Sequence, residues 1–285
     1  MTGRATASRH DDEPLRIITA RQGWRSIDLG EIWRARDLIW LFIKRDLTVR
    51  YKQTIFGLLW VVLQPLGLTV VYSIFFGYIA RIPSEGVPYP VFVLGGTILW
   101  QSFSRGTSEA AVSLVAQQGI VAKIYFPRPI IPLTPVISTF VDCGAMLLLL
   151  VGLMLFYGMA PHATILLAPL FAMLAAALAY AIGLWLSALD AIYRDVRYAL
   201  SFLIQFWYFA TPVIYPLSIV PERFRFLFVL NPLTAPIEGF RWAVTGNTTP
   251  PDAITIVSSL MITTVLLLGG LVFFRRIERS VVDRI

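Results

Sequence analysis

Charge-free runs divide this chain. No Asp, Glu, Lys or Arg occurs at 53–80, 86–104, 143–189, 198–221 or 253–274. A bilayer's hydrocarbon core is about 30 Å thick and takes ~20 apolar residues as a helix. The first run therefore predicts span one at about 56–80, and the second predicts span two between Glu85 and Arg105. The third run is too long for one helix, and the Gly and Pro of GMAPHA (158–163) split it into span three, from near Thr134, and span four. Span five is expected from Tyr198 to Pro216 and span six from Ala253 to Phe274. The apolar stretch 226–237 is too short to cross and is interrupted by Asn231-Pro232 and by Pro236. It predicts a re-entrant or interfacial hairpin over 217–245, on the outer side and buried against protein. The alternative, a seventh span, would place the basic C-terminal segment outside.

Composition agrees with this pattern. The 285 residues are 57% hydrophobic and only 14% charged, which places the chain among membrane proteins. In a soluble protein the net charge of +7 would suggest nucleic acid; here it predicts basic cytoplasmic loops and no nucleic-acid partner. With six spans and both termini cytoplasmic, only Arg81, Arg223, Arg225 and Arg241 of the 24 Lys and Arg fall on the outer side. That is the bias the positive-inside rule requires. The first thirty residues carry no apolar core of a secretory signal. One cysteine, Cys143, forms no intrachain disulfide, and with only His10 and His162 beside it no metal centre is expected.

The segments flanking the spans differ in kind. Residues 1–30 predict a disordered cytoplasmic tail, and 276–285 a second, short one. Between the first tail and span one, Ile32, Ala35, Ile39, Phe42, Ile43 and Leu47 recur at helical spacing over 31–53. Arg34, Lys44, Arg45, Arg50 and Lys52 fall mostly elsewhere, and Trp33 and Trp40 add interfacial anchors. This is a basic amphipathic helix lying in the inner headgroup layer. Either it only anchors the chain, or Arg45, Arg50 and Lys52 receive an anionic lipid-linked substrate. In the loop after span two, AKIYFPRPIIP (122–132) packs three prolines between apolar stretches. Prolines stop a helix, so a short cytoplasmic helix exposing Ile124, Tyr125 and Phe126 is expected to end there, as either a docking knob or a plain interfacial loop.

Familiar catalytic machinery is missing. Lys44, Lys52 and Lys123 are the only lysines and none follows glycine, which excludes a P-loop; no G-x-S-x-G occurs either. Asp142 is the one carboxylate well inside a predicted span. It is either a functional intramembrane acid or a structural group bonding a neighbouring helix near the inner surface. Asp190, Arg194, Asp195 and Arg197 predict a solvated ion-pair loop. Tyr198, Phe202, Phe206 and Phe209 form a stripe on span five, with Trp207, Tyr208 and Tyr215 close by. Such a stripe serves helix packing or a lipid belt, or offers flat faces to the C–H groups of a sliding sugar.

Four stretches then resemble one family: RDLTVRYKQTIFGLLWVVLQPL (45–66), KIYFPRPIIPL (123–133), the Val141-Asp142 pair and NPLTAPIEGFRWAVTG (231–246). Over roughly 30–275 the chain is similar to the membrane subunits of polysaccharide ATP-binding-cassette exporters. Within them it looks most like the Wzm-like branch for O-antigen and teichoic acid. The resemblance implies an all-α membrane protein, with six transmembrane helices over 54–275 and an interface helix at 31–53. It also implies a coupling helix ending in Lys123, Ile124, Tyr125, Phe126, Pro127 and Arg128. The expected activity is non-enzymatic export of an undecaprenyl-pyrophosphate-linked polysaccharide across the bacterial inner membrane by a homodimer. Two ATPase subunits would hold the ATP and Mg, and this chain would bind no cofactor. The resemblance further implies a tunnel between the protomers and makes the 217–245 hairpin the outer gate, with Asn231, Pro232, Pro236, Glu238 and Arg241 as its candidate residues. For such a substrate Arg45, Arg50 and Lys52 are the candidate pyrophosphate-entry cations, and Tyr198, Phe202, Phe206, Trp207, Tyr208 and Tyr215 the candidate tunnel aromatics. A capsule exporter, an ion-coupled carrier and a membrane glycosyltransferase are the other readings.

Overall fold

A computed structural model describes residue 30 and residues 34–52, 58–121 and 126–281, and the described residues form helices and connecting turns with no strand among them. In chain order the α-helices are α1 (Arg36–Lys52), α2 (Leu58–Tyr72), α3 (Tyr89–Ala116), α4 (Gln118–Val121), α5 (Ile130–Phe156) and α6 (Ala168–Asp190). They are followed by α7 (Val196–Phe209), α8 (Glu222–Leu230), α9 (Thr234–Thr245) and α10 (Ala253–Val281). A π-helical segment, Ser73–Ile79, prolongs α2.

Among the described residues, four stretches are long and apolar enough to cross a membrane: Val62–Ile79, Ile130–Phe156, Ala163–Asp190 and Ala253–Ile277. They coincide with expected spans one, three, four and six. The break at 158–162 is present, with Gly158 at φ +73°. Span three starts earlier than expected, at Ile130 rather than near Thr134. Pro132 falls in its first turn, where a missing backbone N–H costs nothing.

Expected spans two and five take other forms. Helix α3 is long but carries Arg105 and Glu109 in its second half, and most of its residues are buried by other helices, so it has no need of an apolar outer face. Helix α7 has 14 residues, or about 21 Å at 1.5 Å per residue, short of the ~30 Å hydrocarbon core. Turns at 210–216 continue it.

Helices α3 and α6 form the centre, with α5 and α9 packed on them and α10 on α6. Small residues allow the central pair to approach: a methyl group at Gly183 would sit 2.6 Å from the Ala110 Cβ. In lipid, where apolar burial drives little association, such close backbone packing supplies much of the attraction. Helix α1 lays Phe42 and Ile43 against this bundle and leaves Trp40 and Leu41 exposed. Phe42 joins Leu114, Ile130 and Phe274 in a cluster at one end of the bundle.

Candidate functional site

Two inward-turned cations, Arg50 half-buried and Arg241 buried, organise the ends of the bundle. At the α1 end, Arg50 turns inward. Its Nη1 donates to Asp142 Oδ2 on α5 at 2.7 Å and its Nη2 to Glu109 Oε2 on α3 at 2.5 Å. Tyr51 Oη donates to the other Asp142 oxygen, and Arg105 Nε donates to Glu109 Oε1 at 2.8 Å. Asp142 is 4% exposed, so three helices are tied together around a carboxylate removed from water. Burial alone would lower the Arg50 pKa, but Glu109 and Asp142 outweigh it and hold the guanidinium above its ordinary range. Asp142 thus has the helix-to-helix bonding role that was one of its two sequence readings.

The three cations expected to receive pyrophosphate are not gathered. Arg50 is engaged as above, while Arg45 bonds its neighbour Asp46 at 3.1 Å and lies over the Phe42 ring. Lys52 is exposed at the end of α1.

The coupling stretch is described only in part, because Lys123, Ile124 and Tyr125 lie outside the described residues. Phe126 departs from expectation: it is buried, edge-on to Phe42 with centroids 5.7 Å apart, and exposes no ring. The apolar face of α1 covers it. Pro127 and Arg128 are half-buried.

The six aromatics expected to line a tunnel divide into two sets. Tyr198, Phe202 and Phe206 are exposed on α7, the first at 80%. Trp207 and Tyr208 face the other way, edge-on to Phe103 and Trp100 of α3 at 5.4 and 5.3 Å. Tyr215 Oη donates to the Phe209 carbonyl, and its ring meets Phe228 of α8.

At the other end, α8 and α9 follow one another with a break at Asn231. Asn231 Nδ2 donates to the Ala210 carbonyl and to Thr211 Oγ1, at 3.0 and 2.9 Å. Its Oδ1 accepts from Trp207 Nε1 and from Leu233 N. The break is thus bonded to the end of α7. Pro232 and Pro236 are buried, and the Pro232 carbonyl accepts from Ser259 of α10. Glu238 is half-buried, and burial pushes its carboxyl up to about 7 against the opposing pull of Arg241.

Arg241 overturns an expectation. The charge pattern counts it among the outer-side cations, where a charge is expected to face water, but it is 2% exposed. Its Nη2 donates to the carbonyls of Pro212 and Val213, both at 2.9 Å, and its guanidinium lies 3.7 Å from the centre of the Phe92 ring. The turn after α7 offers free carbonyls, and a buried cation satisfies them. A cysteine at Glu222, in a Cys143→Ser background, is therefore expected to react with a water-soluble maleimide. One at Arg241 is expected to stay unlabelled until the chain is denatured. Equal labelling of the folded protein would contradict the burial.

Sequence reasoning missed Arg50 and Tyr51 as partners of Asp142, and Glu109 as the second acceptor of Arg50. Arg105 and Glu109 stand four apart on one helix, a legible pair, but nothing local announces Arg50. In the loop at 190–197, Arg194, Asp195 and Arg197 are exposed as expected, but Asp190 is buried, and Arg197 grips it bidentately at 2.7 and 2.9 Å.

Apolar helices tied together through buried ion pairs define a helical membrane protein. The chain belongs to the ABC-2 type transporter family, which matches residues 37–245. It is 29% identical over 206 residues to an O-antigen export system permease protein, RfbA, of Klebsiella pneumoniae, covering 72% of this chain and 79% of the relative. A protein of the same name from Myxococcus xanthus is 27% identical over 240 residues, covering 83% and 91%. The polysialic acid transport protein KpsM of Escherichia coli is 25% identical over 241 residues, covering 83% and 92%.

Proposed function

We propose that this chain is the membrane-spanning subunit of an ATP-driven exporter that moves an undecaprenyl-pyrophosphate-linked, O-antigen-like polysaccharide across the bacterial inner membrane. The observation that carries the proposal is the similarity to O-antigen export permeases along most of both chains. Two copies of the chain pair with two cytoplasmic ATPase subunits, which hold ATP and Mg. Helices α3 and α7, the latter with its following turns, complete six spans, both termini are cytoplasmic, and 217–245 is re-entrant on the outer side. The exposed Tyr198, Phe202 and Phe206 suit a tunnel wall, because aromatic faces bind sugar C–H groups without fixing them. The Asn231 break, held to the end of α7, suits a gate at its outer mouth.

The test is co-purification with the cognate ATPase and assay of vanadate-sensitive ATP hydrolysis, together with surface display of polysaccharide in cells lacking the chain. Loss of both on deletion supports the reading. Unchanged surface polysaccharide sinks it. A capsular substrate is the second reading, favoured by the similarity to KpsM, and the chemical class of polysaccharide lost on deletion decides between the two.

One prediction concerns coupling. Phe126→Ala removes the edge-on contact that seats Phe126 on Phe42 of α1. It is expected to leave membrane insertion intact, reduce co-purification of the ATPase several-fold and lower export in proportion. Aromatic anchors dominate interface energetics; full co-purification with normal export would show that the segment does not depend on this anchor.

A further inference from the structure

Beside Asp142, between α2, α3 and α5, lies a cavity of about 520 Å³. That is within the ~300–1,000 Å³ typical of small-ligand sites. Gln64 of α2, Trp100, Gln101, Ser104 and Arg105 of α3, and Thr139 of α5 line it. Polar walls are costly in so apolar a bundle unless they are used.

Two features select the ligand. The first is charge. Arg50 and Arg105 face Glu109 and Asp142, and each carboxylate already accepts from a guanidinium. The formal charges cancel, so a phosphate gains no net attraction and would have to break existing pairs. The second is the neutral polar groups. Gln101 Nε2 is buried with no hydrogen-bond partner among the described residues. The Gln64 amide, Ser104 and the indole of Trp100 also line the cavity. Planar amides donate and accept at once, which matches neighbouring hydroxyls, and an aromatic ring covers a C–H face.

We propose that this cavity is a saccharide subsite, one per chain, which takes a neutral sugar ring of the exported polymer rather than its pyrophosphate. The proposal rests on the exporter reading above. Trp100 also touches Tyr208 of α7, whose far side carries the exposed Tyr198, Phe202 and Phe206. Trp100 thus stands between the cavity and α7, the helix proposed to carry the tunnel aromatics.

The test uses the full exporter in cells, with a hydrolysis-inactive ATPase partner so that substrate accumulates. Ser104→Cys in a Cys143→Ser background is labelled with N-ethylmaleimide in three strains. The first makes the complete lipid-linked polymer, the second only the lipid pyrophosphate bearing its first sugar, and the third neither. Labelling is expected to slow several-fold in the first strain relative to the third, and Gln101→Leu is expected to abolish that protection. Equal protection in the second strain would assign the cavity to the pyrophosphate end and overturn the proposal, as would identical labelling in all three. Should Ser104→Cys fail to assemble, Gln64→Cys on the exposed rim reads the same cavity. Failure of the exporter reading is distinct: the unsubstituted chain would then export nothing, whereas normal export with unprotected cysteines sinks only the subsite.

Discussion

Asp142→Ala should destabilise the folded chain by about 3–5 kcal/mol, the usual cost of removing one partner from a buried ion pair. The substitution leaves Arg50 half satisfied in a site from which water is largely excluded and removes one acceptor of the Tyr51 hydroxyl. Glu109 still holds one side of the guanidinium, which sets the loss nearer the lower figure. Arg50→Gln should cost a similar amount, because it strands Asp142. The double substitution should cost clearly less than the two single effects together, since each single change already breaks the same pair. Thermal unfolding of the detergent-solubilised protein measures all three, and strict additivity would show that the pair contributes nothing. Protease sensitivity of α1 gives a second readout: the helix should loosen in each single variant, because Arg50 is its strongest polar tie to the bundle. Under the proposed function the same variants should export poorly, with α1 no longer held beside the receiving end of the tunnel.

Arg241→Ala should be as damaging at the opposite end. It leaves the Pro212 and Val213 carbonyls bare, at about 1–3 kcal/mol for each buried acceptor, and opens a cavity beside Phe92. Arg241→Lys should recover only part of the loss, because an ammonium reaches a carbonyl but does not stack its charge flat on a ring. The neighbouring glycine supplies an independent check. A methyl group at Gly96 would lie 2.6 Å from Arg241 Nη2 and 2.7 Å from the Val213 carbonyl oxygen. Gly96→Ala should therefore lower thermal stability markedly. Combining it with Arg241→Ala should relieve only part of that loss, since the carbonyl remains in the way. A well-tolerated Gly96→Ala would mean that the guanidinium is not seated as described. Under the proposed function, loosening this pin should also raise ion leak, because Arg241 joins α9 to the turn that ends α7.

Much of the architecture was legible in the linear pattern. The four apolar stretches became helices because lipid offers no partner for a bare backbone group, so a long apolar run has few other solutions. The breaks were legible too. Gly158 takes a left-handed conformation and Asn231-Pro232 separates α8 from α9, each through a property of the residue itself. The stripe on α7 was readable in part: Tyr198, Phe202 and Phe206 share an exposed face by helical spacing alone.

The destinations of the polar and aromatic side chains were not. A cation beside an apolar run can reach out to water or turn inward to a partner, and the local sequence is the same in both cases. Arg45 stays at the surface and Arg50, five residues on, goes inward, because only Arg50 faces Asp142 and Glu109 on helices far away in sequence. Phe126 looked like an exposed knob until α1 folded over it, and Arg241 looked like a surface charge until the turn after α7 presented two carbonyls. The chain's own periodicity determined which segments are helical and where they stop. Which charges are buried, and therefore which can meet a substrate, was decided only by the packing of helices distant in sequence, because the cost of burying a charge depends on partners that no local pattern names.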